Sequence, residues 1–288
     1  MADLQEDLIN AEQAGTLDGL FYERVRRSPG LTAYQDFDRQ SGSWRDSTWA
    51  DVAHQVARWR TALAAEAFGD GERAAISLRN SLDWVYFDMA VLAEGLVSVP
   101  LYTEDRPDNV SYIIDDAAVS LLLVQSLAQW KKLAPALRDD NSLQRILVLD
   151  KPKDPDQQIA ALEQDERLRF VADWLPSQAP SMQRREGDPH ALASIVYTSG
   201  TTGRPKGVML SHYNMLSVAH AALACIDCYQ QDVFLSFLPL SHTLERTAGY
   251  YLPIMAGACV AHARSVSQLA QDLVTVRPTA MIAVPRIF

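Results

Sequence analysis

The sequence predicts an α/β fold made of two doubly wound lobes, each a mainly parallel sheet flanked by helices. Two observations carry this. Apolar strands alternate with helical periods along most of the chain, and those strands are continuous apolar runs, the mark of a sheet covered on both faces. Composition agrees: of 288 residues, 48% are hydrophobic and 22% charged, a balance that supports a large buried core and argues against disorder.

The elements follow in order. Thr48 is suited to cap a helix running to about Ala67, because Trp49, Val52, Val56, Trp59 and Leu63 recur at three- and four-residue spacing. A strand from Arg73 to Leu78, a helix from Ser81 to Glu94 and a strand from Leu96 to Leu101 make a strand–helix–strand unit. The pattern repeats with a helix around Asp108 to Asp115, a strand from Val119 to Val124, a helix around Leu127 to Leu137 and a strand from Arg145 to Asp150, which closes a first lobe over residues 1–150. Trp84, Tyr86 and Phe87 read as core of that lobe. Residues 151–189 hold no sustained period beyond Gln157 to Asp165 and read as a linker or surface excursion. A second lobe, residues 190–288, runs as a strand from Ala191 to Thr198, a helix from Tyr213 to Cys225 and a strand from Asp232 to Leu238. It continues as a helix from Leu244 to Ala256, a strand from Ala258 to Ala261, a helix from Val266 to Val276 and a strand from Thr279 to Val284. An apolar strand that runs to Phe288 without a polar tail gives the expectation of a truncated lobe.

Charge excludes one class of partner. A net charge of -10 with no basic run leaves nothing to neutralise a phosphate backbone, so nucleic acid is not an expected partner. Asp3, Glu6, Asp7, Glu12 and Asp18 fill the start of the chain, no apolar block there resembles a leader, and no run is long enough for a membrane span; a cytoplasmic location is expected. Cys225 and Cys228 stand at C-x-x-C spacing, but no second pair completes a zinc site and their place late in an apolar helix does not suit redox chemistry. They are expected as buried or half-buried thiols. His190, His212, His220 and His262 share no metal-like spacing and read as ordinary. Oligomeric state has no signature here.

The chemistry concentrates in Tyr197 to His212, YTSGTTGRPKGVMLSH. Gly200, Gly203 and Gly207 let backbone amides converge on an anion; Thr198, Ser199, Thr201 and Thr202 add hydroxyl donors and Lys206 a positive charge. Read as lying between a strand and a helix, the loop falls at a carboxyl edge of the sheet, where open α/β folds bind ligands. A P-loop needs Gly-Lys followed by Ser or Thr, whereas Lys206 follows Pro205 and precedes Gly207, so the loop is a phosphate cradle of another kind.

That string resembles the signature of the AMP-binding, or adenylate-forming, superfamily. VLAEGLVSVPLYTEDRP (Val91 to Pro107), FLPLSHTLERT (Phe237 to Thr247) and VPRIF (Val284 to Phe288) resemble further blocks of it, and PLSH followed by Glu-Arg-Thr is similar to the long-chain fatty acyl-CoA synthetase branch. The resemblance implies the incomplete N-terminal domain of an adenylate-forming enzyme using ATP, Mg2+ and coenzyme A. In that reaction a fatty carboxylate attacks the α-phosphorus of ATP, pyrophosphate leaves, and the CoA thiol then displaces AMP. It implies that Thr198, Ser199, Gly200, Thr201, Thr202, Gly203, Lys206 and Gly207 hold the phosphates. His242 would lie by the carboxylate path, either as a catalytic residue or only as a helix cap, while Glu245 and Arg246 would pair locally or serve the site. Metal ligands are not identified. The family's downstream adenine, ribose and lysine motifs have no counterpart in the chain, so the chain is expected to be nearly inactive alone, and a lipid substrate implies transient contact with membranes. Two alternatives stay open: a naturally short nucleotide-binding or protein-interaction module, and an adenylating enzyme using another carboxylic acid or a carrier-protein thiol.

Overall fold

The computed structural model describes residues 7–138, 141–198 and 203–284. The chain opens with α1 (Ala11–Ala14), α2 (Leu17–Arg27), the hairpin β1 (Thr32–Asp38) and β2 (Ser43–Thr48), and α3 (Trp49–Ala65). It continues through β3 (Arg73–Ser77), α4 (Leu82–Ala93), β4 (Val97–Pro100), α5 (Pro107–Asp116), β5 (Val119–Ser126), α6 (Leu127–Leu133) and β6 (Arg145–Asp150). Then come α7 (Pro155–Gln164), β7 (Leu168–Phe170), α8 (Val171–Trp174), β8 (Leu192–Thr198), β9 (Lys206–Ser211), α9 (His212–Leu223) and β10 (Val233–Ser236). A π-helix (Glu245–Tyr251) leads directly into α10 (Leu252–Ala256), followed by β11 (Cys259–His262) and α11 (Leu269–Val276).

Local chemistry explains the starts and stops. Thr48 caps α3 in a reciprocal box: its hydroxyl accepts from the Asp51 amide at 3.1 Å, and the Asp51 carboxylate accepts from the Thr48 amide at 2.9 Å. Ser211 and Asn214 repeat the device at α9. Pro107 and Pro155 begin α5 and α7, where a missing N–H costs no hydrogen bond.

The sheets do not follow the expected division into a lobe before residue 150 and another after residue 190. A seven-stranded sheet has the order β7-β6-β5-β3-β4-β8-β9, and a four-stranded sheet the order β10-β11-β1-β2. Strand β8 pairs parallel with β4 through Ser98 and Ser194, while β1 reaches across to pair parallel with β11. Parallel pairing gives way at one edge of each sheet, where β8–β9 and β1–β2 are antiparallel. Segment 151–189 is more than a linker, because it builds α7 and α8 and adds β7 to the edge of the larger sheet. The strand expected from Thr279 to Val284 reduces to a single bridge between Phe234 and Ala280.

Continuous apolar strands have the expected cause. Ile76, Leu121, Leu123 and Leu147 face a core shared with α2, α3, α4, α9 and α10 and with the inner face of the smaller sheet. Ala75, Leu122, Val124, Ile146 and Val148 face a second core under α5 and α6. Trp84 and Phe87 are fully buried in the first of these cores as anticipated, with Tyr86 half-buried against it. No helix among the described residues is long and apolar enough to cross a membrane.

One polar cluster crosses the main core. Asp88 of α4 and Arg246 of the π-helix, each wholly buried, pair at 2.6 Å. The same carboxylate oxygen accepts from Ser98 of β4 at 2.6 Å, and the other from Tyr251 at 3.2 Å. Arg246 also donates to the Ser194 hydroxyl of β8 at 2.7 Å, and its guanidinium lies 5.4 Å from the Trp84 ring. Burial is the largest influence and opposes the Arg246 charge, but the Asp88 carboxylate together with Tyr251 and Tyr250 holds the guanidinium pKa above its ordinary value. Asp88→Ala is expected to cost about 3–5 kcal/mol in urea unfolding, because it strands a buried cation. Adding Arg246→Met should restore much of that loss.

Candidate functional site

The stretch expected to hold phosphates joins two antiparallel strands, β8 and β9, rather than a strand and a helix. Thr198 closes β8, Lys206 opens β9, and the two are cross-strand partners. Gly203 takes φ +90°, a conformation suited to glycine. Gly207 stands opposite Tyr197, and a Cβ there would lie 2.8 Å from Ile195 Cγ2 and 3.0 Å from Tyr197 Cζ, so its bare backbone is what lets the ring cross the hairpin. Thr198, Gly203, Lys206 and Gly207 are thus placed together at the carboxyl end of β8, with Thr198 and Lys206 both exposed. Ser199, Gly200, Thr201 and Thr202 lie outside the described residues.

The base of the hairpin is held by residues the sequence did not single out. Tyr197 donates to Asp116 Oδ2 at 2.6 Å, Tyr112 donates to Asp116 Oδ1 at 3.2 Å, and the Arg204 guanidinium sits 5.4 Å over the Tyr112 ring. Burial and the Asp116 carboxylate both push the Tyr197 hydroxyl above its ordinary pKa, so it stays a proton donor. Beside the hairpin, a cavity of about 340 Å³ opens between the ends of β4 and β8, lined by Leu101, Tyr102, Glu104, Asn109, Tyr197 and Thr198 among others.

The segment carrying His242 is brought to the same edge. Asn80, just past β3, donates to the Leu238 carbonyl at 2.7 Å and to Ser236 Oγ at 2.9 Å, and accepts from the Leu240 amide at 3.0 Å. Strand β3 is separated from β8 by β4 alone. His242 is exposed, and its Nδ1 accepts from the Leu244 amide at 3.2 Å, so in the neutral ring Nε2 carries the proton and is left for a ligand. Its neighbours diverge: Arg246 is committed to Asp88, while Glu245 is buried and makes no pair with it.

Two other histidines are structural. His212 Nδ1 accepts the Leu17 amide at 3.1 Å, and burial, with Arg185 nearby, lowers its pKa to about 4. His262 sits 3.1 Å from Asp36 and stacks on Tyr34. Of the cysteines at C-x-x-C spacing, Cys228 is buried as expected but Cys225 is exposed. Among the described residues no three His, Cys, Asp or Glu side chains converge as metal ligands.

Comparison with known proteins adds to the geometry. Residues 21–288 match the family described as AMP-binding enzyme. Fatty acyl-CoA synthetase A of Dictyostelium discoideum is 28% identical over 256 residues, 87% of this chain and 38% of that protein. Long-chain-fatty-acid--CoA ligase FadD15 of Mycobacterium bovis is 27% identical over 288 residues, 93% of this chain and 43% of that protein. The chain thus spans about two fifths of these relatives. Among solved structures, the anthranilate CoA ligase AuaEII in complex with anthranoyl-AMP superposes with a TM-score of 0.80 at 20% identity, over 94% of this chain and 50% of that one, a likeness of fold.

Two stability measurements check the site. Gly207→Ala should lower stability by about 1–3 kcal/mol through the forced displacement of Tyr197 and Ile195. His212 binds a proton near pH 6.5 when unfolded but only near 4 when folded, so its contribution is present above pH 6.5 and is lost as pH falls toward about 4. His212→Asn, which keeps an acceptor for Leu17, should flatten thermal unfolding across that window.

Proposed function

Because this chain belongs to the AMP-binding enzyme family, we propose that it carries the phosphate-binding and carboxylate-facing part of an enzyme that activates a fatty acid, first as acyl-AMP and then as a coenzyme A thioester. The observation that supports this most is the exposed Thr198–Lys206 hairpin opening at the same sheet edge as the His242 segment. Joining a carboxylate to ATP sets two anions together. Positioning and charge neutralisation are therefore the main demands on the protein.

In this reading Thr198, Ser199, Gly200, Thr201, Thr202, Gly203, Lys206 and Gly207 hold the β- and γ-phosphates, and Lys206 offsets charge on the departing pyrophosphate. His242, with Nδ1 already engaged, offers Nε2–H to the fatty carboxylate and orients it toward the α-phosphorus. Magnesium would travel with ATP; the described residues provide no three-ligand cage for it, and no step is assigned to it. Coenzyme A as the acyl acceptor follows the character of the relatives, which are named as CoA synthetases and ligases.

Isotope exchange between pyrophosphate and ATP, dependent on a fatty acid and measured in the full-length enzyme, tests the reading. Lys206→Ala should slow exchange by roughly a hundredfold, the scale of losing one charge-stabilising donor. ADP in place of AMP as product would overturn the proposal. A stop codon directly after Phe288 would favour a nucleotide-binding module instead.

A further inference from the structure

Glu245 opens the π-helix and is 1% exposed, yet among the described residues neither of its carboxylate oxygens has a hydrogen-bond partner. The carboxyl folds back along its own helix onto Gly249. A Cβ at position 249 would lie 2.6 Å from Oε1 and 2.7 Å from Cδ, so the acid fills the volume that any other residue's side chain would need. This contact falls inside a π-helix, a marginal geometry that needs local support.

The surroundings are short of compensating charge. Ser236 and His262, in register at the ends of β10 and β11, lie on the sheet side. His262 Nδ1 is already 3.1 Å from Asp36 of β1, and Asp83 of α4 lies close enough to Asp36 for each carboxylate to feel the other. Ser236 accepts from Asn80, and Arg246 turns away to Asp88. Burial pushes the Glu245 pKa up to about 7, against the opposing pull of the Ser236 hydroxyl and His262.

We propose that Glu245 is a positioning residue for His242: as a neutral acid lodged in the Gly249 slot it braces the π-helical turn, and its ionisation loosens that turn. A neutral carboxyl tolerates a dry site where a carboxylate does not. Relief of the charge requires the side chain to leave the slot, and the segment from His242 to Leu244 leads straight into the turn it would disturb. The link to His242 is the Leu244 amide, which donates to the imidazole Nδ1. Acyl adenylation is not a premise of this inference, and none of its tests reads catalysis, so the proposed reaction and the brace can fail separately.

The first test is a double-mutant cycle on thermal unfolding. Gly249→Ala should lower the melting temperature of the wild type, where the new Cβ meets the carboxyl, and should leave it unchanged or raise it in a Glu245→Ala background. Equal losses in both would overturn the slot. The second compares wild type with Glu245→Gln across pH 4 to 9. The folded pKa of about 7 lies above the ordinary 4.5, so folding takes up a proton between those values, and the wild type loses stability relative to Glu245→Gln as pH rises from 4.5 to about 7. The opposite slope from His212 is common to both proteins and cancels. A constant gap would overturn the neutral acid. The third follows amide exchange at Leu244: the wild-type rate divided by the Glu245→Gln rate should be near one at pH 5 and severalfold higher above pH 7. A flat ratio would remove the connection to His242.

Discussion

The Asp88–Arg246 pair is the fixed point of the molecule. Taking two full charges into a core costs several kcal/mol per ion, and the cost is offset only where the partners are close and their remaining groups satisfied. Asp88 receives donors from Arg246, Ser98 and Tyr251, while Arg246 donates from both terminal nitrogens and lies near the Trp84 and Tyr251 rings, its Nε alone without a hydrogen-bond partner among the described residues. These residues come from α4, β4 and the π-helix, and Ser194 brings in β8. Ser194 lies four residues before Thr198, and Arg246 four residues after His242. The ion pair therefore sets the distance between the two halves of the candidate site, one on a strand end and one ahead of a helix, through rigid elements rather than loops.

Its neighbour shows how narrowly such placement is decided. Glu245 and Arg246 are adjacent, charged and buried, yet one finds a complementary group across the core and the other meets the backbone of its own helix. The result is one residue whose charge is held in place and one whose charge is suppressed. A helix one residue wider than usual lets both side chains leave the solvent on different sides.

Sequence reasoning reached what depends on local pattern. Helix α3 was legible because its apolar spacing and its Thr48–Asp51 box both belong to one stretch of chain, and β5 and β6 because burial on both faces makes them unbroken apolar runs. Strand β9 was not legible: its first four residues are exposed, and it exists through backbone pairing with β8, which leaves no hydrophobic period. The β1–β2 hairpin is hidden for the same reason, with only Ala33 and Tyr34 of its first strand buried. At the site, the donors of the loop could be read directly because an anion needs them within a few residues. The Tyr197–Asp116 support could not, since its partners stand 81 residues apart and each is unremarkable alone.

The interleaving of the two sheets bears on how the chain is made. Asp36 and His262, neighbours across β1 and β11, are 226 residues apart in sequence. A ribosome adding about 5–20 residues per second needs roughly 11 to 45 s to supply the second after the first. Through that interval β1 has β2 on one side and an open edge on the other, a template for pairing with foreign strands. The acidic and polar residues of this hairpin, Asp36, Asp38, Ser43 and Asp46 among them, then act as a guard on the nascent chain, keeping that edge soluble until β11 arrives.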